Sequence, residues 1–438
     1  MQYLDPSDAV KLMRICQTWS GPAVEAFYST LTLRSPLAFP KLVHLITNTQ
    51  TNMHPYALLI RELVFTGEAA DDLMMGDLKQ TLEQCTNLAS LRLEGCTLVS
   101  GMVAQFLKDY APFLSRVEFP GSQISDSFLL SLIRGVKSLR HIDVSYTNVT
   151  LSMLPILVRE CQYLETLQMT GCQPSLDEMM VDEYENSEFY LVGDSLKQFK
   201  SPLKQVDVSG TMIGDKMISY LSRHCDNLET LIMDGCSLIT DDAITSIAMY
   251  SKNIKFLNLS FCDITDVSLQ SLAIHLGSPS ATAQLTKNAE HGSYKDFSEY
   301  HPSTNQNVEK GIQLELIVLT GCSSISANGI TFLASKCPNL QTIVLDGCDR
   351  VTDWYYTDSN VSTIDTNLQN NQSPELSAYS ALDKLSYGAP SAVSSDDGDS
   401  FVTALSDVEV VMARALNHSQ KSLRRLSLNR QQVLDKTQ

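Results

Sequence analysis

The chain reads as an α/β solenoid, one short strand and one helix per turn, on three observations. A nine-residue phrase, Leu-x-x-Leu-x-Leu-x-x-Cys, recurs along it, usually trailed by Ile-Thr-Asp. The spacing of the phrase is nearly constant. Many of its cysteines have a partner eleven residues earlier: Cys85/Cys96, Cys161/Cys172, Cys225/Cys236 and Cys337/Cys348. The clearest copy is Leu228, Leu231, Met233 and Cys236, trailed by Ile239, Thr240 and Asp241. It returns at Ile254, Leu257, Leu259 and Cys262, trailed by Ile264, Thr265 and Asp266. It returns again at Leu340, Ile343, Leu345 and Cys348, trailed by Val351, Thr352 and Asp353.

The first positions are Leu88, Leu114, Leu139, Leu164, Leu203, Leu228, Ile254, Leu314, Leu340 and Leu423, with intervals of 26, 25, 25, 39, 25, 26, 60, 26 and 83 residues. The base period is 25 to 26 residues, and the long gaps are repeats carrying insertions. A weaker copy starts at Ile60 (Ile60, Leu63, Phe65), and a strand at Tyr28, Leu31 and Leu33 precedes it. This period lies in the leucine-rich-repeat range. The expectation is a horseshoe, with parallel strands on the concave face and helices outside.

Each element has its local reason. Within the phrase, buried apolar residues alternate with polar ones, as a strand with one covered face requires. The cysteine that follows fills a turn position, the one asparagine holds in other leucine-rich repeats. After it the pattern switches to helical spacing, with Ile244, Ile247 and Ala248 on one face. Thr240 and Asp241 are placed to cap that helix. The unit has too little core to stand alone, so stacking buries one continuous core. The cysteines are read as buried free thiols, because no Cys-x-x-Cys spacing for zinc occurs.

Composition bounds the function. Of 438 residues, 43% are hydrophobic, which excludes a wholly disordered chain. No apolar run reaches the ~18 residues of a membrane span, and no signal peptide is visible. The expectation is a cytoplasmic or nuclear protein in a reducing compartment. The net charge of −18 disfavours sequence-independent nucleic-acid binding. It serves the solubility of an extended molecule, and a basic partner is the sharper alternative.

Three insertions interrupt the ladder, at 173–200, 277–312 and 354–402. The first is acidic, the second rich in Ser, Asn, His and Lys, and the third rich in Ser, Asp and Asn. Such stretches rarely fold alone. The third carries Ser394-Ser395-Asp396-Asp397, serines set beside acids and suited to phosphorylation. A helical pattern resumes at 402–418, and a final strand is expected at Leu423, Leu426 and Leu428.

No catalytic constellation stands out. The eight histidines make no His-Glu-x-x-His spacing, and neither a phosphate-binding glycine loop nor a Gly-x-Ser-x-Gly elbow occurs. No enzyme, metal or cofactor is expected. The chemistry lies in the strand positions that alternate with the leucines. In early repeats these are Arg92, Glu94, Arg116, Glu118, His141 and Asp143, read as an ordinary solvated face of both signs. In later repeats they include Ile232, Asp234, Phe256, Asn258, Leu316, Val318, Val344 and Asp346. Ile232, Phe256, Leu316, Val318 and Val344 are expected to form an exposed apolar patch that contacts a protein substrate. A lid formed by an insertion or the tail is the alternative.

Residues 1–35 form a separate head before a ladder of 36–430. Helices are expected at 7–17 and 21–29. The plain reading of the head is a cap on the open end of the solenoid. Its residues Ile15-Cys16-Gln17-Thr18-Trp19, with Phe27, Tyr28, Leu31 and Leu33, resemble the second half of an F-box. With the cysteine-containing repeats, the chain resembles the F-box/leucine-rich-repeat family, and the polar insertions suggest a fungal member. The resemblance implies the substrate-recognition subunit of a Skp-cullin-F-box ubiquitin ligase. The Skp adaptor and cullin core would then be partners, with Leu4, Leu12, Ile15, Cys16 and Trp19 on the adaptor. A basic or phosphorylated target protein would be held for ubiquitin-dependent degradation. The alternative is a non-catalytic repeat scaffold or inhibitor, like the fungal antagonist of mitotic exit built of the same repeats.

Overall fold

The computed structural model describes residues 17–48, 54–71, 73–97, 99, 101–174, 200–276, 313–351 and 427–429. Most of each insertion, residues 1–16 and the expected helix at 402–418 lie outside the described residues. The chain divides into two units, Met1–Lys255 and Phe256–Gln438.

The first unit opens with helix α1 (Gln17–Ser29), which runs directly into strand β1 (Thr30–Leu33). The gap expected at 18–20 is absent, and the helix runs through Gly21 and Pro22. Tyr28, expected in the strand, ends up in the helix. Then follow α2 (Ala38–Thr47), α3 (Tyr56–Leu59), β2 (Glu62–Phe65), α4 (Glu68–Asp71), α5 (Met75–Gln84) and β3 (Ser90–Leu93). The regular turns are α6 (Gly101–Tyr110), β4 (Arg116–Glu118), α7 (Asp126–Gly135), β5 (His141–Asp143), α8 (Met153–Glu160) and β6 (Thr166–Gln168). They continue as β7 (Gln205–Asp207), α9 (Asp215–His224), β8 (Thr230–Ile232) and α10 (Asp241–Tyr250). Strands β1 to β8 pair in chain order, all parallel.

The second unit holds β9 (Phe256–Asn258), α11 (Asp266–His275), β10 (Leu316–Val318), α12 (Ala327–Lys336), β11 (Thr342–Val344) and β12 (Ser427–Asn429). Strands β9, β10 and β11 are parallel neighbours. Both units are built as leucine-rich-repeat solenoids. The final strand departs from expectation. Of the expected residues Leu428 lies in it, while Leu423 and Leu426 are outside the described residues, and it pairs antiparallel to β11, with Ile343 opposite Leu428. Parallel pairing is imposed by a short crossover helix, and β12 is separated from β11 by residues 345–426, which frees its direction.

The repeated leucines make the core. Leu228, Leu231, Met233, Cys236 and Ile239 are fully buried, as are the corresponding Leu257, Leu259 and Ile264. Helix residues such as Ile244, Ile247 and Ala248 close the same core. Each such leucine contributes about 1.5–3 kcal/mol.

Two polar devices tie successive repeats. The post-strand thiols donate to a carbonyl of the preceding repeat: Cys236 Sγ to Val208 O at 3.2 Å, Cys322 Sγ to Leu259 O at 3.1 Å, Cys348 Sγ to Leu319 O at 2.9 Å. This is the turn role expected of them. All ten cysteines among the described residues are buried. Burial pushes the thiols of Cys85, Cys161 and Cys348 up to about 12, so they stay protonated and unreactive.

The second device explains Ile-Thr-Asp. Thr240 and Thr265 cap their helices, their hydroxyls accepting from Asp242 N and Val267 N. The aspartate at the same motif position does something else where the contact is seen, reaching to a hydroxyl residue at or just before the helix cap of the next repeat. Asp215 accepts from Thr240 N at 2.8 Å and from Thr240 Oγ1 at 2.6 Å. Asp126 holds Thr150 in the same way, at 2.8 and 2.7 Å. Asp266 holds Ser326 at 2.7 and 2.5 Å across 60 positions, so the insertion at 277–312 leaves this bidentate staple intact.

Candidate interaction face

The residues that alternate with the leucines line up rung by rung on the face of the sheet away from the core. In the first unit one line runs Ser90, Arg116, His141, Thr166, Gln205, Thr230. The line beside it runs Arg92, Glu118, Asp143, Gln168, Asp207, Ile232. In the second unit the equivalent lines are Phe256, Leu316, Thr342 and Asn258, Val318, Val344.

The charged half is not a plain solvated face. Glu118 is only 5% exposed and is faced by two guanidinium groups and an imidazole. Arg92 Nη1 reaches its Oε2 and Arg116 Nε its Oε1, both at 2.6 Å. His141 Nε2 faces Oε1 at 3.5 Å, too long for a sound hydrogen bond. Burial opposes ionisation of Glu118, but the facing imidazole and then the Arg116 and Arg92 guanidinium groups outweigh it. The carboxyl is held well below the usual carboxylate range. Glu94 takes a second bond from Arg92, at 2.9 Å.

Further along, the buried acids are anchored locally. Asp143 Oδ1 accepts from Ser145 N at 2.9 Å, and Asp207 Oδ1 from Ser209 N at 3.0 Å and Ser209 Oγ at 2.6 Å. Asn258 repeats the motif with Ser260, at 2.9 and 2.6 Å. Asp/Asn-x-Ser at the end of a strand is the signal for it, a side-chain turn that reading by hydrophobic period passes over. Among the described residues, three buried polar atoms of these lines have no hydrogen-bond partner: His141 Nε2, Gln205 Oε1 and Asn258 Nδ2.

The apolar patch expected on the later repeats is not exposed. Ile232, Phe256, Val318 and Val344 are 1, 3, 3 and 6% exposed, and only Leu316 keeps intermediate exposure. Asp234, Asn258 and Asp346 are buried with them. Register is one reason. Strands lie about 4.8 Å apart, so Leu316 is flanked by Phe256 and Thr342, and Val318 by Asn258 and Val344. Ile232 belongs to the first unit, next to Asp207. Of the head residues, Trp19 lies in α1 and its side chain is outside the described residues, as are Leu4, Leu12, Ile15 and Cys16.

Glycine marks the turn after most strands, at positive φ. At two of these turns an aromatic residue adopts it instead, Tyr146 at φ 58° and Phe261 at φ 55°. Each ring lies over the turn glycine of the next repeat. A Cβ on Gly171 would meet Tyr146 Cδ1 at 2.7 Å, and one on Gly321 would overlap the Phe261 ring.

Among the described residues no group of three or more His, Cys, Asp or Glu side chains could hold a metal ion. No helix among them is long and apolar enough to cross a membrane. Among the described residues the strand face combines a buried carboxylate, two guanidinium groups and polar atoms with unmet hydrogen bonds.

Comparison with known proteins finds similarity to leucine-rich-repeat proteins. A leucine-rich-repeat family model matches residues 250–273. The chain is 35% identical over 72 residues to F-box/LRR-repeat protein 12 of Arabidopsis thaliana, covering 16% of this chain and 18% of that protein. It is 29% identical over 129 residues to Antagonist of mitotic exit network protein 1 of Candida glabrata, covering 29% of this chain and 24% of that protein. The matches thus span a quarter or less of these relatives' length. Among solved structures, a chain of the Rad7 and Elc1 complex in yeast superposes with a TM-score of 0.42 at 14% identity, over 85% of this chain and 90% of that chain. An internalin (inlF) of Listeria monocytogenes gives 0.37 at 18% identity, over 57% of this chain and 67% of that one.

Proposed function

We propose that the chain is the substrate-recognition subunit of a Skp-cullin-F-box ubiquitin ligase, a non-catalytic receptor that presents target proteins for degradation. The observation that carries this is the continuity of head and ladder. The helix that holds Trp19 and Phe27, two residues of the F-box-like pattern, passes without a linker into β1, which pairs with β2. A receptor must hold its target at a set distance from the ligase core, and a rigid junction supplies that orientation. The partial similarity to an F-box/LRR-repeat protein points the same way. In this reading Leu4, Leu12, Ile15, Cys16 and Trp19 contact the Skp adaptor.

The target would lie on the strand face. His141 Nε2 and Gln205 Oε1, two rungs apart on one line, are buried atoms whose hydrogen bonds are unmet among the described residues. A bound chain that met them would recover the cost of leaving them unsatisfied. Arg116, held by Glu118 through Nε, is partly exposed beside them. In the second unit Leu316 is the part of the expected patch that remains reachable.

Pull-down of purified Skp adaptor by the full chain, and by its Trp19→Asp variant, tests the reading. Capture by the full chain that the variant loses supports it. No capture by either removes the ligase role. The second reading, a non-catalytic scaffold or inhibitor that acts by occupying its partner, would then lead. The 129-residue similarity to an antagonist of mitotic exit favours it.

A further inference from the structure

Charge is sorted by edge in the first unit. Its strands are parallel and its helices run back against them, so one edge collects the helix C-termini and strand starts. Residues 108–116, 134–140 and 160–165 of that edge carry Lys108, Arg116, Arg134, Lys137 and Arg140 against Asp109, Glu160 and Glu165, an excess of two positive charges, with Arg134 and Arg140 paired to Glu160 and Glu165. The opposite edge, at the strand ends and helix starts, carries Glu94, Asp126, Asp215, Asp241 and Asp242. Helix dipoles account for part of this, since cations favour the last turn, where Lys108 and Arg134 lie. They do not account for Lys137 and Arg140, which lie beyond the helix end.

A second observation lies on the same edge. The residue before the first leucine of a repeat commonly ties it to the repeat before. Asn87 Nδ2 donates to Leu58 O at 2.8 Å, Asn253 Nδ2 to Asp226 O at 2.7 Å, and Ser138 Oγ to Leu114 O at 2.6 Å. At two repeats an aromatic stands there instead. Phe113 is 64% exposed and Tyr163 53%. They flank Ser138, so the rings are two strand spacings apart, about 10 Å. Arg140 leans over the Tyr163 ring at 5.9 Å, and the stem of Lys108 rests on Gly135, where a Cβ would come within 3.0 Å of Lys108 Cβ. The chain forgoes two side-chain ties and shows two rings among cations.

We propose that this edge, centred on Lys108, Phe113, Arg134, Lys137, Arg140 and Tyr163, docks an acidic segment of a partner protein that carries apolar or aromatic side chains. It is distinct from the strand face and goes beyond the receptor reading, which does not depend on it. Charge complementarity selects the occupant, because cations on this edge meet a segment of opposite sign while the rings take its apolar groups. A nucleic acid fits less well. Glu160 pairs with Arg134, and Glu165 with Arg140 at 2.6 Å and Lys204 at 2.8 Å, so the edge lacks the long run of open cations that a continuous polyanion needs, while a short acidic segment can be met by Lys108 and Lys137 beside the rings.

The test is to pan a random displayed peptide library on the full chain and measure enriched peptides by anisotropy. Wild type is compared with Lys137→Glu/Arg140→Glu and with Phe113→Ser/Tyr163→Ser. Both pairs are exposed, so circular dichroism should show an unchanged fold. The expected result is enrichment of acidic peptides with apolar residues. Each variant pair should weaken them by at least about tenfold, and salt should weaken wild-type binding. Enriched peptides without an acidic excess, or binding that survives charge reversal, would overturn the proposal. So would tighter binding of a single-stranded oligodeoxynucleotide at the same edge.

Discussion

The same two positions of the strand carry opposite chemistry in the two units. On β3, β4 and β5 they hold Arg92, Arg116, Glu118 and His141, an ionic cluster around one buried carboxylate. On β9, β10 and β11 they hold Phe256, Leu316, Val318 and Val344, mostly buried hydrocarbon. The backbone is indifferent to the exchange, because the leucines beneath fix the register in both. What differs is the penalty for error. A hydrocarbon line loses contact area when one member changes. An ionic line loses a counter-ion and leaves the rest charged.

The sharpest way to break this contrast is to place an acid in the wrong line. Val318→Asp puts a carboxylate at a 3% exposed position between Asn258 and Val344, with no cation on its line among the described residues. A loss of about 3–5 kcal/mol is expected, visible as a shifted urea midpoint. Wild-type stability in that variant would mean the line is open to water.

Next in size is Glu118→Ala, which strands Arg116 and leaves Arg92 with Glu94 alone. Both guanidinium groups keep contact with solvent, so water recovers part of the loss and about 1–3 kcal/mol is expected. Restoring most of it with Arg116→Met in the Glu118→Ala background would show that the cost is the unpaired charge.

Acid titration separates the two lines. The folded-state value of Glu118 is depressed, so its contribution is complete above the ordinary glutamate value of about 4.3 and is lost as pH falls below it. Wild type should therefore lose more stability between neutral pH and about pH 3 than Glu118→Gln does. Parallel curves would remove the coupling.

The smallest effect tests what both units share. Thr240→Ala removes a helix cap and a bond to Asp215, for about 1 kcal/mol. Ser326→Ala should cost a similar amount through Asp266. Thermal melts of the two variants would show whether the staple is equally strong in each unit.

Much of the fold was legible because it depends on local period. The leucines, the buried thiols and the threonine caps all follow from one repeat and its neighbour. Glu118 and the apolar line were misjudged for one shared reason. Whether a side chain on the strand face is exposed depends on its register partners, and these sit about 25 residues away. The aspartate of Ile-Thr-Asp was read only as a cap, since its ligand belongs to the next repeat. Tyr146 and Phe261 were invisible for another reason. Glycine normally reports a left-handed turn, and here the turn exists without it.

The Asp266–Ser326 staple has a consequence for how such a chain can change. Because the tie joins two helix starts and spans the inserted length, the repeats on either side keep their registration whatever is spliced between them. The junction at 277–312 is thus a permissive port in the ladder. A foreign module grafted there should leave the β9–β10 pairing undisturbed, while one inserted between Asp215 and Thr240, where no length is spare, should not be tolerated.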